Sequence, residues 1–300
     1  MVLLVSYVGY QMDTIYVGAT NGLLNINLEP SVTLRTVEVT AAASQTIEQV
    51  TQMSQMDVQV KDIKRLPAIL GEVDVIKALQ LMPGVQAGNE GLSGLYVRGG
   101  SPDQNLILLD GVPIYNPTHI LGIFSVFNAD AIKNVSLIKG GFPARYGGRL
   151  SSVLNINMKD GNLQSFHGEG SISNIASKLT LEGPIKKGVS SYLISGRRTY
   201  LDLFVSPFIK AGSDGLDKLA AYFYDLNGKL QHRINDKQSL HFSFYTGRDV
   251  LETRVRDKEI QEVSGGELGW QNQIAALRWN YNLNSQLFLN TTVSFIRLPN

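Results

Sequence analysis

The residues able to do chemistry are few, and their spacing decides what chemistry is open to them. Cysteine is absent, which removes disulfides, thiolate nucleophiles and Cys-ligated metals together. The four histidines, His119, His167, His232 and His241, show no His-Glu-x-x-His or other ligand spacing, so no metal site is expected. His241 falls on the polar face of an alternating strand, a position that lines an interior rather than a metal. Asp103, Asp110, Asp130 and Asp160 sit at turns or helix starts, where Asp serves its own backbone, so no acid–base pair is read from them. The glycine pairs at 99–100, 140–141 and 147–148 look like phosphate loops, but none precedes a helix opening with Lys-Ser/Thr. No nucleophile elbow, Walker loop or dinucleotide fingerprint is present. The expectation is a protein that is not an enzyme and holds no cofactor.

Arginines are what remain. Arg98, Arg145 and Arg149 lie on short segments between apolar strands, where an unpaired charge is costly and a partner is expected. The elements that would position them read as a compact α+β unit over residues 55–160. Leu95–Val97 and Leu106–Leu109 are short strands joined by Gly-Gly-Ser-Pro-Asp, and the second runs into a sharp Asp110-Gly111 turn. Val73–Met82 carries an apolar face and is stopped by Pro83-Gly84, a short helix. Leu121–Phe127 and Ala129–Ile132 flank an expected helical turn ending at Asn134, and Val135–Ile138 and Val153–Ile156 read as strands.

Beyond residue 160 the pattern changes. Leu240, Phe242 and Phe244 alternate with Ser239, His241 and Ser243; Leu277, Trp279, Tyr281 and Leu283 alternate with Arg278, Asn280 and Asn282; Leu289, Val293 and Phe295 repeat the pattern. A strand with one lipid face and one wet face requires this period of two over about ten residues. Such strands leave the average hydropathy unremarkable, and here it is −0.02. Short connections at Pro184–Val189, Asn235-Asp236 and Asn284-Ser285 alternate with long ones at 203–220 and 249–267, as outer-membrane barrels do; a soluble β-sandwich is the competing reading. With 43% hydrophobic and 18% charged residues and a net charge of +1, the chain can bury a core and offers no field for nucleic acid.

The stretch Gly94-Leu-Tyr-Val-Arg-Gly-Gly-Ser-Pro-Asp-Gln-Asn-Leu-Ile-Leu-Leu-Asp-Gly111, with Lys139-Gly-Gly-Phe-Pro-Ala-Arg-Tyr-Gly-Gly-Arg149 after it, resembles the plug of TonB-dependent outer-membrane receptors. The similarity is to the Bacteroidetes-type members that carry an N-terminal carboxypeptidase-regulatory-like domain. It implies an α+β plug followed by antiparallel transmembrane β-barrel strands, forming an incomplete barrel, and preceded by a remnant β-sandwich. The plug motif is then Arg98, Gly99, Gly100, Asp110, Gly111, Gly140, Gly141, Arg145, Gly147, Gly148 and Arg149. In that family the arginines face the barrel wall, and Glu169 and Glu182 are the candidate partners for Arg145 and Arg149; solvation is the bland alternative. The turn departs from the Arg-Gly-Arg-Gly-Ser form of glycan importers, which speaks against a polysaccharide.

The organisation implied is 1–34 as the end of a carboxypeptidase-regulatory-like sandwich, with strands at Leu3–Val8, Thr14–Val17 and Leu23–Leu28. A linker follows at 35–54, the plug at 55–160, and the first barrel strands at 161–300, about seven in number where plugged barrels have about 22. Thr36, Val37, Glu38, Val39, Thr40 and Ala41 resemble a TonB box, an extended segment suited to strand addition; the alternative is a last sandwich strand. Met1-Val-Leu-Leu-Val lacks the features of a signal peptide, so the reading expects sequence before Met1 and after Asn300. The function implied is TonB-dependent uptake of a nutrient across the cell outer membrane, with the plug and N-terminal segment on the periplasmic side. Partners would be TonB, outer-membrane lipid and an imported ligand, with a surface lipoprotein as a further candidate. A cell-surface signalling or adhesion protein on the same scaffold, or a soluble β-rich binding module, is the alternative.

Overall fold

The computed structural model describes residues 2–5, 13–16, 26–28, 55–66, 71–88, 92–200, 202, 216–256, 263–284 and 286–297. The chain divides into two compact units, Met1–Thr51 and Gln52–Asn300. In the first, strands β1 (Val2–Val5) and β2 (Asp13–Tyr16) pair antiparallel, with Val2 opposite Tyr16. The strand expected over Leu23–Leu28 is not formed at residues 26–28; a strand needs a neighbouring ladder, and the described residues offer it none. Thr36–Ala41 lies outside the described residues.

The second unit opens with a five-stranded sheet in the order β3-β10-β11-β6-β7. Its strands are β3 (Gln55–Gln59), β6 (Asn105–Leu109), β7 (Val112–Pro113), β10 (Ile132–Ile138) and β11 (Ser152–Met158). β6 and β11 run parallel and the other pairs antiparallel. Two short helices, α1 (Val60–Ile63) and α2 (Val75–Gln80), pack on the sheet, and Val75, Ile76, Leu79, Val135, Leu137, Leu154 and Ile156 form a fully buried core. The helix expected from Val73 starts later because the Asp74 carboxylate accepts the Lys77 N–H at 3.0 Å, capping it. Small hairpins β4 (Val85–Gln86) with β5 (Tyr96–Val97), and β8 (Thr118–His119) with β9 (Phe124–Ser125), complete the unit.

The helical turn expected before Asn134 is cut to a single turn, in which the Ala131 and Ile132 N–H groups donate to the Asn128 and Ala129 carbonyls at 3.0 and 3.4 Å. A single 3₁₀ turn occupies Ile120–Gly122, Phe124 and Ser125 form a strand, and β10 begins at Ile132. The run Phe124–Ile132 has no helical stripe, and pairing of Phe124 with His119 on one side and of Ile132 with Met158 on the other leaves room for no more than that turn.

The remaining seven strands form one sheet in chain order, all antiparallel: β12 (His167–Ile172), β13 (Ala176–Lys186), β14 (Ser190–Thr199), β15 (Leu216–Asn235), β16 (Gln238–Arg256), β17 (Val263–Asn282) and β18 (Phe288–Arg297). The period-two reading holds in side-chain detail. In β14, Ser191, Leu193, Ser195, Arg197 and Thr199 are buried, while Ile194 is exposed. In β15, Phe223, Asp225, Asn227 and Lys229 are buried, and Tyr224, Leu226 and Leu230 face outward. The buried row packs against the five-stranded unit; the outward row is an apolar belt continued by Leu179, Phe242, Leu277, Val293 and Phe295.

Of the long connections expected at 203–220 and 249–267, the residues described, 216–220, 249–256 and 263–267, are all strand, and 203–215 and 257–262 lie outside the described residues. β15 already runs at Leu216, β16 continues to Arg256 and β17 starts at Val263. At 19–20 residues these strands are about twice the length that crosses a bilayer. The β16–β17 ladder is unbroken from Gln238–Tyr281 to Arg256–Val263, so continued cross-strand pairing carries it past the apolar belt.

The belt makes a measurable prediction. Ile194→Arg places a charge on the outward row and should destabilise the protein folded in lipid vesicles by about 2–4 kcal/mol in denaturant titrations. Stability equal to the parent would show that this row does not face hydrocarbon.

Candidate functional site

The inner face of the strands is polar, and the compact unit meets it with charges of its own. The centre is His119. Its ring is 1% exposed, with Nε2 2.7 Å from Asp225 Oδ1 and Nδ1 2.7 Å from Asp249 Oδ2. A carboxylate can only accept, so both ring nitrogens must donate and the ring is an imidazolium. Burial alone would lower the His119 pKa; the two carboxylates outweigh it and hold the value above that of ordinary histidine. Arg197 bonds the other oxygen of Asp225 through Nε at 2.8 Å and Nη2 at 2.5 Å, and donates to the Ser125 carbonyl at 2.8 Å. The Tyr245 hydroxyl donates to Asp225 at 3.0 Å, and Phe223 stacks on the imidazole with centroids 4.0 Å apart. Two cations thus face two carboxylates in a dry site, each with several hydrogen bonds, the condition under which buried ions are tolerated.

The chain bends sharply to bring His119 there. Ile120 and Leu121 have φ of 46° and 53°, a region that side chains rarely adopt and that is a true outlier for a β-branched residue. The Ile120 N–H donates to Asp249 Oδ1 at 2.7 Å, so the carboxylate that clamps His119 also holds the strained turn.

A second cluster is built on the Asp110-Gly111 turn. Asp110 accepts the Met158 N–H at 2.9 Å and the Ser243 hydroxyl at 2.5 Å, and its carboxylate lies 3.1 Å from Lys229 Nζ. Its carbonyl accepts from Arg278. Asp110 itself has φ 49° and Gly111 φ 82°, and a Cβ on Gly111 would come within 3.1 Å of Arg278 Nη2, so glycine lets a wall arginine approach the turn. Lys229 also reaches Asp160 at 3.1 Å, with His241 3.5 Å from the same carboxylate. Burial would raise Asp160; His241 and Lys229 hold its carboxyl well below the usual carboxylate range. A third cluster joins Asp130 to Lys64 at 2.5 Å and Lys178 at 3.3 Å, with Glu169 3.0 Å from Lys64. Asp130 is likewise held below the carboxylate range, these lysines outweighing its burial.

The expected site residues are distributed unevenly over this arrangement. Arg98 (φ 47°), Gly99 (φ 82°) and Gly100 form the turn after β5, and a Cβ on Gly100 would collide with Ser151 at 2.5 Å. Gly140 (φ 81°), Gly141 (φ 63°) and Gly148 (φ 78°) shape the second motif, and a Cβ on Gly140 would lie 3.4 Å from Arg98 Nη1, so the two motifs meet. Gly147 has open space around it. Arg145 and Arg149 correct the expectation: Arg145 stacks over Tyr146 at 4.9 Å and Arg149 donates to the Gly148 carbonyl at 2.8 Å. Glu169 takes Lys64 instead, and residues 140–149 lie on the compact unit itself, with Phe142 and Tyr146 packed against Leu108, Ile138 and Val153. Asp110, Asp130 and Asp160, read as serving their own backbone, are ion-pair partners. Asp103 is the one of the four that stays local, accepting from Ser101. His119, Arg197, Asp225, Lys229 and Asp249 were missed. The available signal was parity: Asp249 shares the strand face of Ser239, His241 and Ser243, and Asp225 and Lys229 share one face of β15.

Residues 46–152 match the family described as TonB-dependent Receptor Plug Domain. That stretch is a TonB-dependent receptor plug. It is 27% identical over 241 residues to the Probable TonB-dependent siderophore receptor PirA of Acinetobacter baumannii, covering 70% of this chain and 31% of that protein. It is 26% identical over 222 residues to the Vitamin B12 transporter BtuB of Vibrio vulnificus, covering 70% and 34%. The outer membrane transporter YddB from Escherichia coli shares the fold at a TM-score of 0.59 and 16% identity, covering 81% of this chain and 38% of that one. The chain thus spans about a third of the length of these curated relatives. Within this family, the compact α+β unit is the receptor plug, and the seven-stranded sheet is barrel wall.

His119 makes the plug's hold on the wall testable. His119→Gln leaves Asp225 and Asp249 short of a buried cation, a loss of about 3–5 kcal/mol. Faster hydrogen exchange at Ser125 and Ile120 should report it. The sign with pH follows from the raised pKa: the contribution is complete below about pH 6.5, the unfolded value, and is lost as pH climbs through the higher native value. Exchange at these amides should accelerate with pH beyond its intrinsic rate in the parent and not in His119→Gln; parallel profiles would refute the imidazolium clamp.

Proposed function

We propose that this chain carries the plug and part of the wall of a receptor that imports a nutrient ligand across the outer membrane without chemical change to it. The observation that carries the reading is the plug docked by buried ion pairs onto the polar face of strands whose other face is apolar. Such a wall suits a bilayer outside and a hydrated lumen inside, and the plug closes the lumen while remaining separable from it. Two curated relatives are named for a siderophore and for vitamin B12, which supports a scarce nutrient as ligand. A cavity of about 420 Å³ in the plug, lined by Tyr96, Tyr115, Leu121 and Arg149 among others, is a suitable place for a ligand to rest.

The domain division that fits this role is a sandwich end over 1–34, a linker over 35–54, the plug over 55–160 and wall from 161. The plug faces the periplasm, where TonB pairs with Thr36–Ala41 by strand addition; the ligand and a surface lipoprotein approach from the opposite side. Energy comes through TonB, so no nucleotide site is needed.

Strand addition rests on main-chain hydrogen bonds, which gives a clean test. Val39→Pro removes an N–H and fixes φ; in the full receptor it should leave abundance and ligand binding normal and abolish import. Val39→Ala, which keeps the donor, should import at near the parental rate. Import by Val39→Pro equal to the parent would rule out this segment as the energy-coupling box.

A further inference from the structure

Between the plug and the wall lies an open cleft of about 840 Å³, separate from the plug cavity and from the His119 clamp. Five lysines line it, Lys61, Lys64, Lys133, Lys159 and Lys229, against two acids, Asp110 and Asp160. Three of the five are compensated: Lys64 by Asp130 and Glu169, Lys229 by Asp110 and Asp160, and Lys133 by Asp160 at 3.8 Å. Lys61 and Lys159 have no acidic partner among the described residues. Two half-buried amides, Asn134 and Asn157, paired across β10 and β11, add neutral donor capacity to the same wall of the cleft.

The backbone contributes to this concentration. β10 is bulged between Ile132 and Asn134, so Lys133 is the extra residue opposite β11. Bulges re-aim a side chain, and this one sets a lysine at the cleft where regular pairing would continue the ladder. The two ammonium groups of Lys61 and Lys159, beside three paired lysines, add nothing to the stability of the cleft. Like charges at short range repel, and the low-dielectric walls sharpen that repulsion.

We propose that this cleft is a binding site for a small dianion bearing carboxylate or phosphate oxygens. The two uncompensated ammonium groups of Lys61 and Lys159 match two negative charges. Lys133 can turn from its 3.8 Å contact with Asp160 toward the ligand, and the Asn134 and Asn157 amides can donate to remaining oxygens. Lys229 stays fixed between Asp110 and Asp160, which balance its charge. The proposal goes beyond the uptake reading and does not need it, since binding is read without transport.

The test is calorimetric titration of the full receptor in detergent with inorganic phosphate and, separately, succinate. Saturable binding is expected, weakening as salt rises, with Lys61→Gln and Lys159→Gln each lowering affinity about tenfold and Lys159→Arg retaining most of it. Lys187→Gln, an exposed lysine outside the cleft, should bind as the parent does. Phosphate binding alone would mark a phosphate site and succinate binding alone a carboxylate site, either within the proposal. Absence of saturable binding of both, or equal affinity in the parent and in Lys61→Gln/Lys159→Gln, would overturn it. Loss caused equally by Lys187→Gln would also overturn it, as a general charge effect.

Discussion

The whole arrangement depends on the buried carboxylate of Asp225. It sits on the inner face of β15 with 3% exposure, and it is contacted by His119 and Ser125's partner Arg197 from opposite directions. A carboxylate so placed is costly without cations, and among the described wall residues Arg197 is the cation that reaches it. His119 comes from the plug, and it also neutralises Asp249. Plug and wall therefore complete each other's charge balance, which fixes the plug's position more sharply than shape alone. The same logic recurs at Asp110 with Lys229 and at Asp130 with Lys178, each pairing a plug acid with a wall lysine.

Apolar contact supports this register without setting it. Leu193, Tyr245, Ile274 and Ala276 of the wall join the core that the plug builds around Ile76, Leu79, Val135 and Leu154. Burial of this kind is non-directional and would tolerate a slip. Ion pairs with two or three hydrogen bonds per charge do not, because a displaced partner leaves a buried charge uncompensated. The outward row of Ile194, Leu226, Phe242 and Leu277 is uniform by contrast, as suits a surface facing a solvent with no directional demands.

The sequence made the wall legible because its signal is local. Alternation of Leu240, Phe242 and Phe244 with Ser239, His241 and Ser243 needs no knowledge of partners, and the structure turns Ser243 inward onto Asp110 and Phe242 outward. The Asp110-Gly111 turn was legible for the same reason. Pairings across more than a hundred residues were not. His119 and Asp249 are separated by 130 positions, and nothing near His119 marks it as an ion partner. The arginine expectation failed on the same ground: Glu169 was a reasonable acid, but whether Arg145 or Lys64 reaches it depends on the path of the glycine-rich segment in three dimensions. Parity on β15 and β16 identified which residues face inward and could not say what they meet.

A plug held by charge can also be released in a way that an apolar plug cannot. When an apolar interface opens, its full area must be wetted, and the cost grows steadily with separation. When an ion-paired interface opens, water enters and solvates each charge, so the net cost is the small difference between paired and hydrated states. The barrier then lies in the first step, before water arrives, while the charges are apart and still dry. The strained backbone of Ile120 and Leu121 is tied by the Ile120 N–H to Asp249, the carboxylate that also holds the His119 ring. Leu121 is 69% exposed and lines the plug cavity, so the strained turn joins the wall of that cavity to the His119 clamp.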